Sequence, residues 1–117
     1  MKTILIVEDN ELNIDLLTQI LEEDYALLVA RDGAQGVRIA TECAPDLVLM
    51  DMSLPILDGY QATRLIREIH PAMPVIGLSS HAMQGDAEQA LAAGCCDYMT
   101  KPVDEDLLLA RLRAILS

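Results

Sequence analysis

The chain has 117 residues, 19 of them acidic and 8 basic, for a formal net charge of −11. That length predicts one domain with a real core, 52% apolar residues exclude a disordered chain, and the charge argues against binding nucleic acid phosphates while favouring positive partners or ions. No apolar run approaches the ~20 residues of a membrane span, and the stretch after Lys2 is too short for a signal peptide, so the expectation is a cytoplasmic protein with no membrane association.

Apolar runs alternate with helix-period segments along the chain. The first strand is expected over about Thr3–Val7 and ends in Glu8-Asp9. A helix follows over about Leu12–Leu21, with Leu16, Leu17 and Ile20 forming the inward stripe. By that phase Ile14 points outward. The second strand is about Ala26–Ala30. The second helix follows Asp32-Gly33, turns Val37, Ile39 and Ala40 inward, and stops before Pro45.

Leu47–Met50 reads as a buried third strand and runs directly into Asp51. Asp58 is the expected N-cap of the third helix, which ends before His70-Pro71. Pro74 opens the fourth strand, Val75–Leu78, with Ser79 at its end. The fourth helix, Asp86–Ala93, is short and alanine-rich, and Gly94 is its stop signal. Tyr98–Thr100 is the fifth strand and leads to Lys101-Pro102. The last helix runs from Asp104 to Leu116, with acids in its first turn and Arg111 and Arg113 near its end, the order that suits a helix dipole.

Five repeats of strand then helix imply an α/β fold, a doubly wound parallel sheet with helices on both faces. In such sheets ligands bind beyond the carboxyl ends of the strands, where strand order reverses. Glu8, Asp9, Asp51, Ser79 and Lys101 all fall at such ends. Three carboxylates brought together repel and raise one another's pKa values. A hard divalent cation relieves that, and Mg²⁺ suits a few carboxylates plus phosphate oxygens. Asp51 also suits a nucleophile that attacks phosphorus to form an acyl phosphate. A carboxylate set against four apolar residues is costly without such a purpose. Lys101 supplies positive charge for the phosphoryl oxygens, and Lys2 is the only other lysine. Cys43, Cys95 and Cys96 make no disulfide framework. Cys95-Cys96 lacks a second ligand pair for metal, and buried small hydrophobes are the expected role.

With these residues in order, the chain resembles the receiver domain of two-component response regulators, the chemotaxis-regulator type, along its whole length. The matching pieces are Ile4-Leu5-Ile6-Val7-Glu8-Asp9-Asn10, Asp46-Leu47-Val48-Leu49-Met50-Asp51-Met52-Ser53-Leu54-Pro55 with Asp58-Gly59, Pro74-Val75-Ile76-Gly77-Leu78-Ser79-Ser80, and Gly94-Cys95-Cys96-Asp97-Tyr98-Met99-Thr100-Lys101-Pro102. The resemblance implies a flavodoxin-like sheet of strand order 2-1-3-4-5 with five helices. It makes the chain a single receiver unit over residues 1–117, without an output domain.

The resemblance also implies roles. Asp51 looks like the phospho-acceptor, supplied by a histidine kinase or a histidine phosphotransfer protein. Glu8 and Asp9 look like the acidic pair for Mg²⁺, with Asp51 and the Ser53 backbone carbonyl as further ligands. Glu8 replaces the commoner aspartate, and its longer arm suggests contact through a water. Ser79 and Lys101 look like the residues that grip the phosphoryl group, and Tyr98 like the aromatic switch. Ser80 stands where the family has Ala or Gly. Ser53 and His81 match positions that tune phosphate lifetime. Ile14 and Pro102 are candidate docking residues for the phosphodonor, and the helix 4–strand 5–helix 5 face is the expected surface for a downstream protein target.

Two other classes compete. An aspartyl-phosphate hydrolase of the haloacid dehalogenase type needs a second acid two residues after the nucleophile, and that position is Ser53. A receiver-like interaction module that is never phosphorylated has no need of the intact Glu8-Asp9, Asp51 and Lys101 set. A nucleotide switch would need a phosphate-binding glycine loop ending in Lys-Ser or Lys-Thr, which is missing. The expected behaviour is therefore that of a switch rather than an enzyme.

Overall fold

The computed structural model describes residues 1–54, 57–79 and 85–116. Elements alternate as β1 (Thr3–Val7), α1 (Glu11–Leu21), β2 (Ala26–Ala30), α2 (Gly33–Cys43), β3 (Leu47–Asp51), α3 (Gly59–Ile69), β4 (Val75–Ser79), α4 (Asp86–Ala93), β5 (Asp97–Thr100) and α5 (Glu105–Leu116). The strands form one parallel sheet in the order β2-β1-β3-β4-β5. Order reverses between β1 and β3, so the crevice beyond those two strand ends is the expected ligand position.

Strand alternation sorts the core into two layers. Ile4, Ile6, Leu47, Leu49, Ile76 and Leu78 pack with Leu17 and Leu21 of α1 and Leu108 and Leu112 of α5. Leu5, Val7, Val48, Met50 and Val75 pack with Ala40 of α2, Ala62 and Ile66 of α3 and Ala90 of α4. β3 and β4 are buried along their whole length, as strands covered on both faces must be.

The helix starts follow local chemistry. Asn10 caps α1 by accepting from the amides of Leu12 and Asn13, so α1 begins one residue before Leu12. Asp32 caps α2. Asp58 caps α3 in a reciprocal box with Gln61. Gly94, at φ +119°, closes α4 with its amide bonded to Ala90 and Leu91 carbonyls, a backbone shape that glycine adopts without strain. β3, β4 and β5 each run one residue beyond the apolar core pattern, so Asp51 and Ser79 lie inside strands and β5 begins at Asp97.

Helix α1 is phased differently from the expectation. Ile14 is buried, at 5% exposure, with Leu17 and Leu21, while Leu16 is 41% exposed and Leu12 79% exposed. Positions 14, 17 and 21 recur at three and four residues and form the stripe against the sheet. Neighbours 16 and 17 lie about 100° apart on a helix, so only one of them can centre on the core. Ile14 is therefore a core residue rather than an exposed docking contact. The cysteines divide as well. Cys95 is buried, whereas Cys96 and Cys43 are exposed, because consecutive residues entering a strand point to opposite faces.

Candidate functional site

Strand register assembles the site. Val7 pairs with Met50, so Glu8 and Asp51, each one residue further, emerge side by side. Asp51 pairs with Leu78 and Ser79 with Thr100, which lines up the next two strand ends. The ladder continues through Glu8 N to Ala30 O at 2.9 Å, Met52 N to Leu78 O at 2.9 Å and Lys101 N to Ser79 O at 2.7 Å. Each site residue is thus tied by its own or its neighbour's amide to the adjacent strand.

Glu8, Asp9 and Asp51 each present a carboxylate oxygen, all within 4.8 Å of one another. Glu8 is 1% exposed and Asp51 3% exposed, whereas Asp9 is exposed. Like charges at that spacing repel by roughly 3 kcal/mol at the dielectric typical near a protein surface. Lys101 supplies a counter-charge, with Nζ 2.5 Å from Glu8 Oε1 and 3.5 Å from Asp51 Oδ1. Glu8 Oε2 accepts from the amides of Asp9 at 3.1 Å and Asn10 at 3.3 Å. Asp51 Oδ1 accepts from the Ser53 amide at 3.0 Å.

Burial pushes the Glu8 carboxyl above its usual range, Lys101 offsets part of this, and the Asp51 carboxyl beside it adds to the rise. Three carboxyl groups thus face one ammonium. The cluster's donors are carboxylate oxygens only, a set that fits a hard cation such as Mg²⁺ better than zinc, which favours nitrogen and sulfur.

The remaining expected site residues are placed as follows. Ser79 is buried at the end of β4. Ser53 is exposed in the loop after β3. Tyr98 is half-buried on β5, against the layer that packs on α2, α3 and α4. Lys101 and Pro102 are joined by a cis peptide bond, and Pro102 is exposed. Pro55, Ser80 and His81 lie outside the described residues.

Two features of the site were not anticipated. Gly59 opens α3 directly against β3, and a Cβ there would lie 2.3 Å from the Asp51 carbonyl oxygen and 2.6 Å from Met52 Cα. The Asp58-Gly59 pair was legible as a helix start, but not as a steric seat for the Asp51 segment. Leu16, expected in the core stripe, instead lines a cleft with Asn13, Pro102 and Val103 that borders Glu8 and Lys101. The odd leucine beside Leu17 was the available signal.

Comparison with known proteins agrees with this geometry. Residues 4–113 match the family model described as the response regulator receiver domain. The chain is similar to the polar-differentiation response regulator DivK of Brucella anthropi, at 34% identity over 98% of this chain and 96% of that protein. It is also similar to the receiver domain of a sensor histidine kinase from Pseudomonas aeruginosa, whose crystal structure has a magnesium ion coordinated in the active site cleft, with 41% identity, a TM-score of 0.90 and coverage of 99% of this chain and 98% of that one. A CheY-like response regulator receiver domain protein from Methanospirillum hungatei superposes with a TM-score of 0.93 at 30% identity, covering 99% and 94% of the two chains. Sheet order, clustered carboxylates and likeness over nearly the full length converge, and the chain belongs to the response regulator receiver domain family of two-component systems.

Proposed function

We propose that this domain is a phosphorylation-controlled switch in which Asp51 accepts a phosphoryl group from a phosphohistidine of a histidine kinase or histidine phosphotransfer protein. The observation that carries this reading is the arrangement around Asp51: a carboxylate 3% exposed, within 4.8 Å of two further acids and 3.5 Å from an ammonium. A carboxylate is rarely held that way unless its charge is used.

In the step, an Asp51 carboxylate oxygen attacks phosphorus, the P–N bond to the donor imidazole breaks, and the imidazole leaves with its electron pair and takes a proton. Glu8, through a water, and Asp9 and Asp51 would hold Mg²⁺ with the Ser53 carbonyl, and the cation would neutralise charge developing on the transferred oxygens. Lys101 turns its ammonium toward the new phosphoryl oxygens, and the Ser79 hydroxyl, at the end of the neighbouring strand, hydrogen-bonds them. The phosphoryl group adds charge and acceptors at one sheet edge, which biases Tyr98 and the α4 region between two arrangements. The domain then acts as a switch more than as a turnover enzyme.

Two surfaces support partner binding. Leu12 and Leu16 lie one turn apart on the exposed side of α1, at 79% and 41% exposure, so Leu12 forgoes roughly 2 kcal/mol of burial and Leu16 about half as much. Leu16 shares its cleft with Pro102, so the phosphodonor docks across α1 and the β5–α5 loop. The downstream target binds across α4, β5 and α5, where Leu91 and Leu107 are exposed and Arg111 pairs with Asp97. Ser53 and His81 tune phosphate lifetime; an unchanged decay rate after replacing both with other polar residues would sink that role.

The test is incubation with acetyl phosphate and Mg²⁺ followed by intact mass measurement, beside Asp51→Asn and a chelated control. One added phosphoryl group that requires both Asp51 and the cation is the expected result. A folded protein that takes up no phosphoryl group and binds no beryllofluoride would make it an interaction module. Steady turnover of a phosphomonoester would favour the hydrolase.

A further inference from the structure

In-register partners of a parallel sheet carry their side chains on one face. Met50, Gly77 and Tyr98 form such a row across β3, β4 and β5. Its middle member has no side chain, which leaves a notch between the methionine and the tyrosine. Three side chains from three separate segments converge on it. A Cβ at position 77 would lie 3.1 Å from Met52 Cε, 3.3 Å from Cys95 Sγ and 3.4 Å from Tyr98 Cδ2. Met52 and Cys95 are nearly buried, at 4% and 5% exposure.

The occupants differ in what they connect. Met52 directly follows Asp51 and reaches the notch from the site. Tyr98 enters it from β5. Cys95 closes it from the loop ahead of β5. Met is unbranched and soft enough to change shape at low cost, while the tyrosine ring is rigid and needs its space whole. A glycine inside a buried strand weakens that strand and calls for a close approach as its reason. Here the approaching groups are the side chain next to Asp51 and the ring on β5.

We propose that the Gly77 notch is the seat of the Tyr98 ring, shared with Met52, and that the size of residue 77 sets how much of the unphosphorylated protein holds the ring inward. The idea rests on the reading of Tyr98 as the switch residue and adds what controls it. Gly77→Ala places a methyl group 3.1 Å from Met52 Cε and 3.3 Å from Cys95 Sγ, closer than ordinary contact, with the Tyr98 ring next at 3.4 Å; the crowding is relieved by the ring, the most exposed of the three, moving out. Cys95→Ala empties the far wall and shifts the ring inward. The two substitutions therefore act with opposite sign. Their combination returns the ring toward its native position, as coupled neighbours do.

The experiment labels the full chain with 3-fluorotyrosine and records its fluorine NMR spectrum with and without Mg²⁺ and beryllofluoride. Tyr25, Tyr60 and Tyr98 are the only tyrosines, so Tyr→Phe variants assign the signals. The expected result is a Tyr98 signal moved toward the solvent-exposed value in Gly77→Ala, moved away from it in Cys95→Ala, and restored in the double variant. Labelling by acetyl phosphate stays within about twofold of native in Gly77→Ala, less than the ~1.4 kcal/mol that a tenfold change represents. A Tyr98 signal identical to native in both single variants, or shifts of the same sign in both, overturns the proposal. The arms also separate it from the switch reading. A native Tyr98 signal unmoved by beryllofluoride would end that reading, while opposite-sign shifts in the unphosphorylated variants would still establish the seat. Should Gly77→Ala fail to fold, an unmoved signal in Cys95→Ala alone overturns it.

Discussion

Lys101 stands closer to Glu8 than to Asp51, at 2.5 Å against 3.5 Å. Glu8 spans two contacts, the Lys101 ammonium through one oxygen and the amides of Asp9 and Asn10 through the other. The lysine belongs first to Glu8. Lys101→Ala leaves the buried Glu8 carboxyl without its counter-charge. We predict a loss of roughly 3 kcal/mol, the low end for breaking a buried pair, because Glu8 can take up a proton. Urea unfolding with and without Mg²⁺ checks this, and added cation should recover part of the loss. A cost of about 0–1 kcal/mol would make Lys101 an ordinary surface lysine.

Asp51→Asn should behave oppositely. It keeps the shape of the side chain and removes one of the crowded negative charges. The melting temperature is expected to rise by about 4 °C in metal-free buffer, the shift that ~1 kcal/mol produces in a domain of this size. Native protein should gain stability on adding Mg²⁺, as any ligand of the folded state provides, and the variant should lose most of that gain. Circular dichroism melts settle it. A variant that melts lower and keeps the full Mg²⁺ response would remove Asp51 from the cluster.

Gly59→Ala tests how the Asp51 segment is seated. The added Cβ would meet the backbone of Asp51 and Met52, which cannot swing aside as a side chain can. α3 must move off β3, or β3 must bend. A loss of at least ~2 kcal/mol is expected, together with slower labelling by acetyl phosphate. A variant with native stability and native labelling would show that α3 does not brace the site.

The cysteines make a pH prediction. Burial pushes the Cys95 thiol up to about 11, from a usual value of 9.0. The folded value lies above the unfolded one, so the stability it contributes is complete below 9.0 and is lost as pH rises through about 11. Cys96 is exposed. Iodoacetamide at neutral pH should label Cys43 and Cys96 in the native protein and reach Cys95 only on unfolding. Native labelling of Cys95 at the rate of Cys43 would contradict the buried placement.

Much of this molecule is legible from residue order. Short apolar runs of four or five residues were long enough for strands and too short for helices, and Asp32, Asp58 and Gly94 marked helix ends through backbone chemistry that acts within a few residues. The acids and the lysine could be assigned to strand ends for the same reason. Helix phase was harder. Leu16 and Leu17 are equally apolar, and only the position of the sheet beneath α1 selects Leu17 with Ile14 and Leu21.

By itself, the sequence determined the alternation of strands and helices, the placement of Glu8, Asp9, Asp51, Ser79 and Lys101 at strand ends, and the chemistry those groups support. These depend on periodicity and on side-chain type, which are local. Tertiary structure alone decided that Lys101 rests on Glu8 before Asp51, that Gly59 abuts the Asp51 carbonyl, and that Gly77 lies beside Tyr98. Those relationships join residues distant along the chain, and they exist only once strand order and register bring them within a few ångströms.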